Sequence, residues 1–161
     1  MKTTISCSIF YFIIFSPAFA MSVNGVQQDS GEQRKCVAVS KKEVAALFDR
    51  WNNSLETGDA QKVAANYTHD AVLLPTLSPQ TRLTDAERID YFKSFLKKGP
   101  VGHIDSRTIR LGCDDAVDTG NYTFTFKDGS KARARYTFTY GWNGEKWLIT
   151  SHHSSALPVE K

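Results

Sequence analysis

The stretch Ser130–Ser155 (SKARARYTFTYGWNGEKWLITSHHSS) constrains this chain more than any other. Tyr136, Phe138, Tyr140 and Trp142 alternate with Arg135, Thr137 and Thr139, the period of two that a strand shows when one face is packed and the other wet. Asn143-Gly144 marks a tight turn in which both central residues are expected at positive φ, and Trp147, Ile149 and Ser151 resume the alternation. Upstream, Asn121–Phe126 (NYTFTF) alternates in the same way, with Asp128-Gly129 as the connecting turn. The C-terminal third therefore reads as a three-stranded meander with an aromatic face that helices must cover.

The upstream sequence supplies those helices. Ser40 with Glu43 forms a capping box, after which Val44, Leu47, Phe48, Trp51 and Leu55 fall on one stripe as far as Thr57, with Gly58 as the stop. Asp59 caps a short second helix that turns Val63, Ala64 and Tyr67 inward. Ala71–Leu74 reads as a strand halted by Pro75, and Thr81–Leu83 as its short return partner. A second capping box, Thr84 with Glu87, opens a third helix carrying Ile89, Phe92, Phe95 and Leu96, ended by Gly99-Pro100. His103–Gly112 is the next strand. Helices first and a run of strands after them predict an α+β fold, with a curved antiparallel sheet wrapped around three N-terminal helices.

The 161 residues suit one domain. Residues 1–20 stand apart as an export signal: Lys2, an apolar run over Ile5–Phe15, and the small-x-small end Ala18-Phe19-Ala20. Residues 21–38 are polar and read as a flexible arm, which leaves 39–158 as the domain. Cleavage after Ala20 implies a periplasmic or secreted protein, with no membrane attachment afterwards. In that setting Cys36 and Cys113 are expected to pair, closing a loop that contributes ~3–5 kcal/mol. Lys and Arg number 20 against 17 Asp and Glu, and the cations are scattered, so nucleic acid is not an expected partner. The spacing of His69, His103, His152 and His153 matches no metal site, and adjacent histidines on one strand point to opposite faces. No cofactor is implied.

Several landmarks in order resemble a known family. A first helix ends in Leu55-Glu56-Thr57-Gly58-Asp59; Tyr67-Thr68-His69-Asp70-Ala71-Val72 and Tyr91-Phe92 follow; then come Asp128-Gly129-Ser130, Glu145-Lys146-Trp147 and His152-His153-Ser154-Ser155. Over Ser40–Ala156 this resembles the association (hub) domain of calcium/calmodulin-dependent protein kinase II and its stand-alone bacterial relatives, within the cone-shaped nuclear-transport-factor-2-like superfamily. The resemblance implies a homo-oligomer, a dimer or larger, with a deep pocket in each subunit and no kinase chemistry; the chain has no kinase signature.

It also marks departures. Two arginines of the hub pocket fall on Tyr122 and Phe138, and the hub's His-x-His-Arg pattern falls on Ser151–Ser154, where His153 keeps its residue. Ketosteroid isomerase belongs to the same superfamily; its base and its oxyanion tyrosine fall on Leu74 and Trp51. The isomerase groups are therefore missing, and no catalytic residue is assigned. The candidate pocket residues are Trp51, Arg82, Tyr122, Arg135, Phe138 and His153, with His153 either facing a ligand or bonded within the core. Arg135 is a ligand contact, an interface residue or part of a wet face.

Three functions follow as expectations. The first is self-association through the open sheet, whose aromatic surface needs cover, together with a pocket for a small, partly apolar ligand. The second is a cyclase, dehydratase or isomerase. The third is a module that binds a partner protein on its sheet.

Overall fold

The computed structural model describes residues 35–76 and 78–158. The expected export signal (1–20) and most of the expected arm lie outside these residues. The described chain runs α1 (Lys41–Glu56), α2 (Ala60–Ala64), β1 (Tyr67–Leu74), α3 (Asp85–Leu96), β2 (Val101–Leu111), β3 (Asp115–Thr125), β4 (Lys131–Trp142) and β5 (Trp147–Ala156). It is the expected cone-shaped α+β fold. Both capping boxes are formed: the Ser40 and Thr84 side chains accept from the Glu43 and Glu87 amides, and each glutamate accepts in return. Such caps contribute about 1 kcal/mol apiece.

The sheet order is β1-β5-β4-β3-β2. Neighbours from β5 to β2 are antiparallel, but β1 lies parallel to β5, so the sheet is mixed rather than wholly antiparallel. The stripe Val44, Phe48, Trp51 and Leu55 packs onto Tyr122, Phe124, Tyr136 and Phe138 in one core. The expectation that the sheet leaves aromatics exposed for a second copy is corrected here: α1 and α3 cover them, and the outer surface presents Thr119, Arg135, Thr137, Thr139, Ser151 and His153.

Several local readings shift. Strand β1 starts at Tyr67, not Ala71, so Tyr67 belongs to the sheet rather than to the second helix. The Thr81–Leu83 return strand shrinks to a single antiparallel bridge between Leu73 and Arg82. At the β4–β5 turn only Gly144 has positive φ. Asn143 instead accepts the Glu145 and Lys146 amides on its Oδ1, which widens the connection to four residues. The expected disulfide is present: Cys36 is bonded to Cys113 across 77 residues. Beside it the Val37 amide donates to Asp114 Oδ1 at 2.7 Å, fixing the start of the domain to the β2–β3 turn.

Two irregularities shape the sheet. Strand β2 bulges at Asp105, between the Ile104–Tyr122 and Ser106–Asn121 pairs. Gly120 faces that bulge, and a Cβ there would stand 1.9 Å from the Ser106 carbonyl oxygen. Strand β5 bulges at Thr150, between the Ile149–Tyr140 and Ser151–Thr139 pairs. An extra residue in one strand offsets its inside–outside numbering from that point on.

Candidate functional site

A cavity of about 430 Å³ opens between α3 and the β3–β4 end of the sheet. Its walls are mainly aromatic, from Trp51, Tyr91, Phe92, Phe95, Tyr122 and Phe124, and Lys98 and Arg133 reach its lining. Apolar walls with a few convergent polar groups are the usual make-up of a small-molecule site.

Six side chains form one hydrogen-bonded chain along the floor. Trp51 on α1 donates Nε1–H to the Tyr67 hydroxyl at 3.0 Å. The Tyr67 oxygen lies 2.9 Å from His152 Nδ1, and His152 Nε2 lies 3.5 Å from the Tyr122 hydroxyl. Tyr122 donates to Ser154 Oγ at 2.6 Å, and Ser154 hydrogen-bonds Thr76. His152, Ser154 and Thr76 line the cavity together with Tyr122 and Trp51, while Tyr67 stands behind them in the core.

Burial, and then the neighbouring His153, push the His152 imidazole down to about 3, so it is neutral near pH 7. Phe138 stacks on it with ring centroids 4.0 Å apart, and the Trp51 ring meets it edge-on at 5.3 Å. Burial also pushes the Tyr67 and Tyr122 hydroxyls up, so both keep their protons.

The structure divides the residues expected at the pocket. Trp51 and Tyr122 line the cavity. Phe138 lies beneath it, fully buried against His152. Arg82 holds its guanidinium 6.0 Å from the centre of the Tyr91 ring, beside the cavity rather than in its lining. Arg135 and His153 are on the opposite face of the sheet, where they border a shallow polar hollow with Ser106, Thr119 and Ser155. The inward histidine is thus His152, and the expectation for His153 is corrected. Counting alternation from Trp147 and Ile149 places odd residues inside, but the Thr150 bulge transfers that role to even ones, and His152 pairs with the inward Phe138.

Leu74 is likewise an outward residue, 39% exposed, and its neighbour Leu73 takes the cavity side. Neither can act as a base. Sequence reasoning also missed Tyr67, Thr76 and Ser154. The adjacent Ser and His residues on β5 were the available signal, but their facing depends on the bulge.

A second buried polar cluster lies away from the cavity. Tyr136 donates to Asp118 Oδ1 at 2.9 Å, and Arg107 Nε stands 3.0 Å from Asp118 Oδ2. Burial pushes the Asp118 carboxyl up despite these partners. Among the described residues no three His, Cys, Asp or Glu side chains converge as a metal site.

The calcium/calmodulin dependent protein kinase II association domain family matches residues 40–158, and the chain belongs to that family. A solved Xanthomonas campestris protein assigned as such an association domain is 48% identical, with a TM-score of 0.72, covering 78% of this chain and 96% of its own. The iota-carbonic anhydrase of a cyanobacterium, solved in complex with bicarbonate, is similar at 25% identity and TM-score 0.67, over 77% of this chain and 95% of its own. A Novosphingobium aromaticivorans protein described as NTF2-like with a cystatin-like fold shares the fold at 15% identity and TM-score 0.61, over 74% and 82% of the two chains. No curated protein sequence matches this chain.

Proposed function

We propose that this chain is an exported, self-associating association-family domain whose cavity interconverts carbon dioxide and bicarbonate. The observation that carries this reading is the donor chain Tyr67–His152–Tyr122–Ser154–Thr76, which emerges on the floor of an otherwise aromatic cavity. Carbon dioxide is apolar and suits the aromatic walls. Bicarbonate carries three oxygens that accept hydrogen bonds, and the hydroxyls of Ser154 and Thr76, clustered at one end of a mainly apolar cavity, suit those oxygens. Water and carbon dioxide give bicarbonate and a proton, and donors placed where charge develops on oxygen lower such a barrier. The similarity to a carbonic anhydrase holding bicarbonate supports the same substrate pair.

The reaction is tested by stopped-flow hydration of carbon dioxide with a pH indicator. The expected result is acceleration by the purified chain, reduced at least about tenfold in Ser154→Ala and Thr76→Val, since losing one such donor costs ~10²–10³ in favourable cases. Wild-type protein that gives only the uncatalysed rate sinks the reaction and leaves a binding pocket.

Assembly rests on a different observation, membership of an association-domain family. Homo-oligomers are the expectation, through the polar outer sheet face around Thr137, Ser151 and His153. Light scattering coupled to size exclusion checks it, and a monomer at high concentration argues against it. Export is supported by the N-terminal apolar run and by the Cys36–Cys113 disulfide.

A further inference from the structure

We infer that Tyr67, backed by Trp51, is a positioning residue that locks His152 as the Nε2–H tautomer and directs the chain as far as Ser154, leaving one hydroxyl proton of the Ser154–Thr76 pair to present to a ligand. This rests on the reading of the cavity as a bicarbonate site, and it adds the group that sets how the site donates.

The Trp51 indole nitrogen can only donate, and it donates to the Tyr67 oxygen. The Tyr67 proton then needs an acceptor, and the other group bonded to that oxygen is His152 Nδ1. If Nδ1 carried the proton instead, the Tyr67 hydroxyl hydrogen would be buried with nothing to receive it, and such an orphan is disfavoured. Nδ1 is therefore the acceptor. A neutral imidazole then carries its proton on Nε2, which points at the Tyr122 oxygen. Tyr122 in turn donates to Ser154 Oγ.

Ser154 and Thr76 have two hydroxyl protons between them, and their mutual bond uses one in whichever sense it runs. The other remains for whatever occupies the cavity. An imidazole of the opposite tautomer would accept at Nε2 and compete with Ser154 for the Tyr122 proton. Tyr67 touches no ligand in this scheme; it acts through His152.

The test reads the tautomer directly, by long-range ¹⁵N–¹H correlation on the labelled full chain without ligand. The expected result for the wild type at neutral pH is one pyridine-like nitrogen at Nδ1 and one protonated nitrogen at Nε2. Tyr67→Phe keeps the ring volume and removes the hydroxyl; it should give averaged His152 nitrogen shifts, reporting exchange between tautomers. Tyr122→Phe removes the other neighbour and should leave the wild-type pattern intact, so it carries the test if the Tyr67 variant fails to fold. A proton on Nδ1 in the wild type overturns the inference. So does a wild-type pattern that survives Tyr67→Phe, or one that is lost in Tyr122→Phe. Because no substrate is present, the expected tautomer in a chain that does not hydrate carbon dioxide would defeat the proposed reaction and leave this assignment standing.

Discussion

Opening the Cys36–Cys113 bond should cost this domain a large part of its stability and none of its site. The bridge closes a loop of 77 residues. Tying that loop in the unfolded chain removes about 15 cal/mol/K, or about 4.5 kcal/mol at 25 °C. Against a total of roughly 5–15 kcal/mol for a typical domain, that is a substantial share. A unit of this size unfolds with an entropy near 0.25 kcal/mol/K, so the midpoint should fall by about 15–20 °C. The bridge sits at the β2–β3 turn, whereas the cavity lies at the β3–β4 end. The assay is a pair of thermal melts, of the oxidised chain and of Cys36→Ser/Cys113→Ser, with carbon dioxide hydration measured on both at 25 °C. A drop under about 5 °C would refute the loop-closure reasoning, and would mean that Val37 and its bond to Asp114 hold the segment without the bridge. A normal stability loss accompanied by a dead site would refute the separation of bridge from cavity.

Three further outcomes are expected. Gly120→Ala places a methyl group against the Ser106 carbonyl, where only backbone can yield, and should cost about 3 kcal/mol by denaturant titration. Deleting Thr150 removes the bulge residue while keeping His152 opposite Phe138, so the cavity should survive with a modest loss from the broken Thr139–Thr150 hydroxyl bond; an outward His152 in that variant, read by its exposure to solvent, would overturn the register argument. For pH, His152 is held near 3 when folded and returns to its ordinary 6.5 when unfolded. The unfolded chain therefore binds the extra proton between those values, and stability falls as pH drops through that window, by about 3 kcal/mol at pH 4. The difference between wild-type and His152→Asn stability curves isolates that slope, and parallel curves would contradict it.

Much of the fold could be read from residue order. Both capping boxes, the apolar stripe of α1 and the hairpins follow from local chemistry that a few neighbouring residues define, and the disulfide from the pair of cysteines left after an expected export signal. The site was less legible because it depends on register. Trp51 and Tyr122 were found, since a helix stripe and a clean alternation fix where they face. His153 was chosen for its place in the hub pattern, and alternation through Ile149 and Ser151 agreed with it; the extra residue Thr150 turns His152 inward instead, and Thr is as suited to a regular strand as to a bulge. Tyr67 was assigned to the wrong element because β1 starts irregularly: its pairing with β5 jumps from Tyr67–Ile149 to Val72–Ser151. No alternation announces such a segment.

That jump explains the fully buried Arg88. Thr68 to Ala71 leave the regular ladder, so their carbonyls need partners from elsewhere. Arg88 on α3 supplies them, donating to Ala71 at 2.5 Å, His69 at 2.7 Å and Thr68 at 3.1 Å, with Asp85 as its counter-charge at 2.6 Å. A lysine has one nitrogen and cannot span this fork. Arg88→Met keeps much of the volume and strips three carbonyls of their donor, which should cost about 3–5 kcal/mol, since each buried acceptor left unpaired costs ~1–3 kcal/mol. The loss should not be uniform. Tyr67 adjoins the freed segment and Thr76 follows β1, so two of the six floor groups depend on this strand being seated. Hydrogen exchange should accelerate first at the β1 amides, and the His152 nitrogen pattern should change at temperatures where α1 and the β3–β4 hairpin are still protected. Uniform exchange across the sheet in Arg88→Met would show instead that Arg88 stabilises the domain as a whole and has no particular hold on the site.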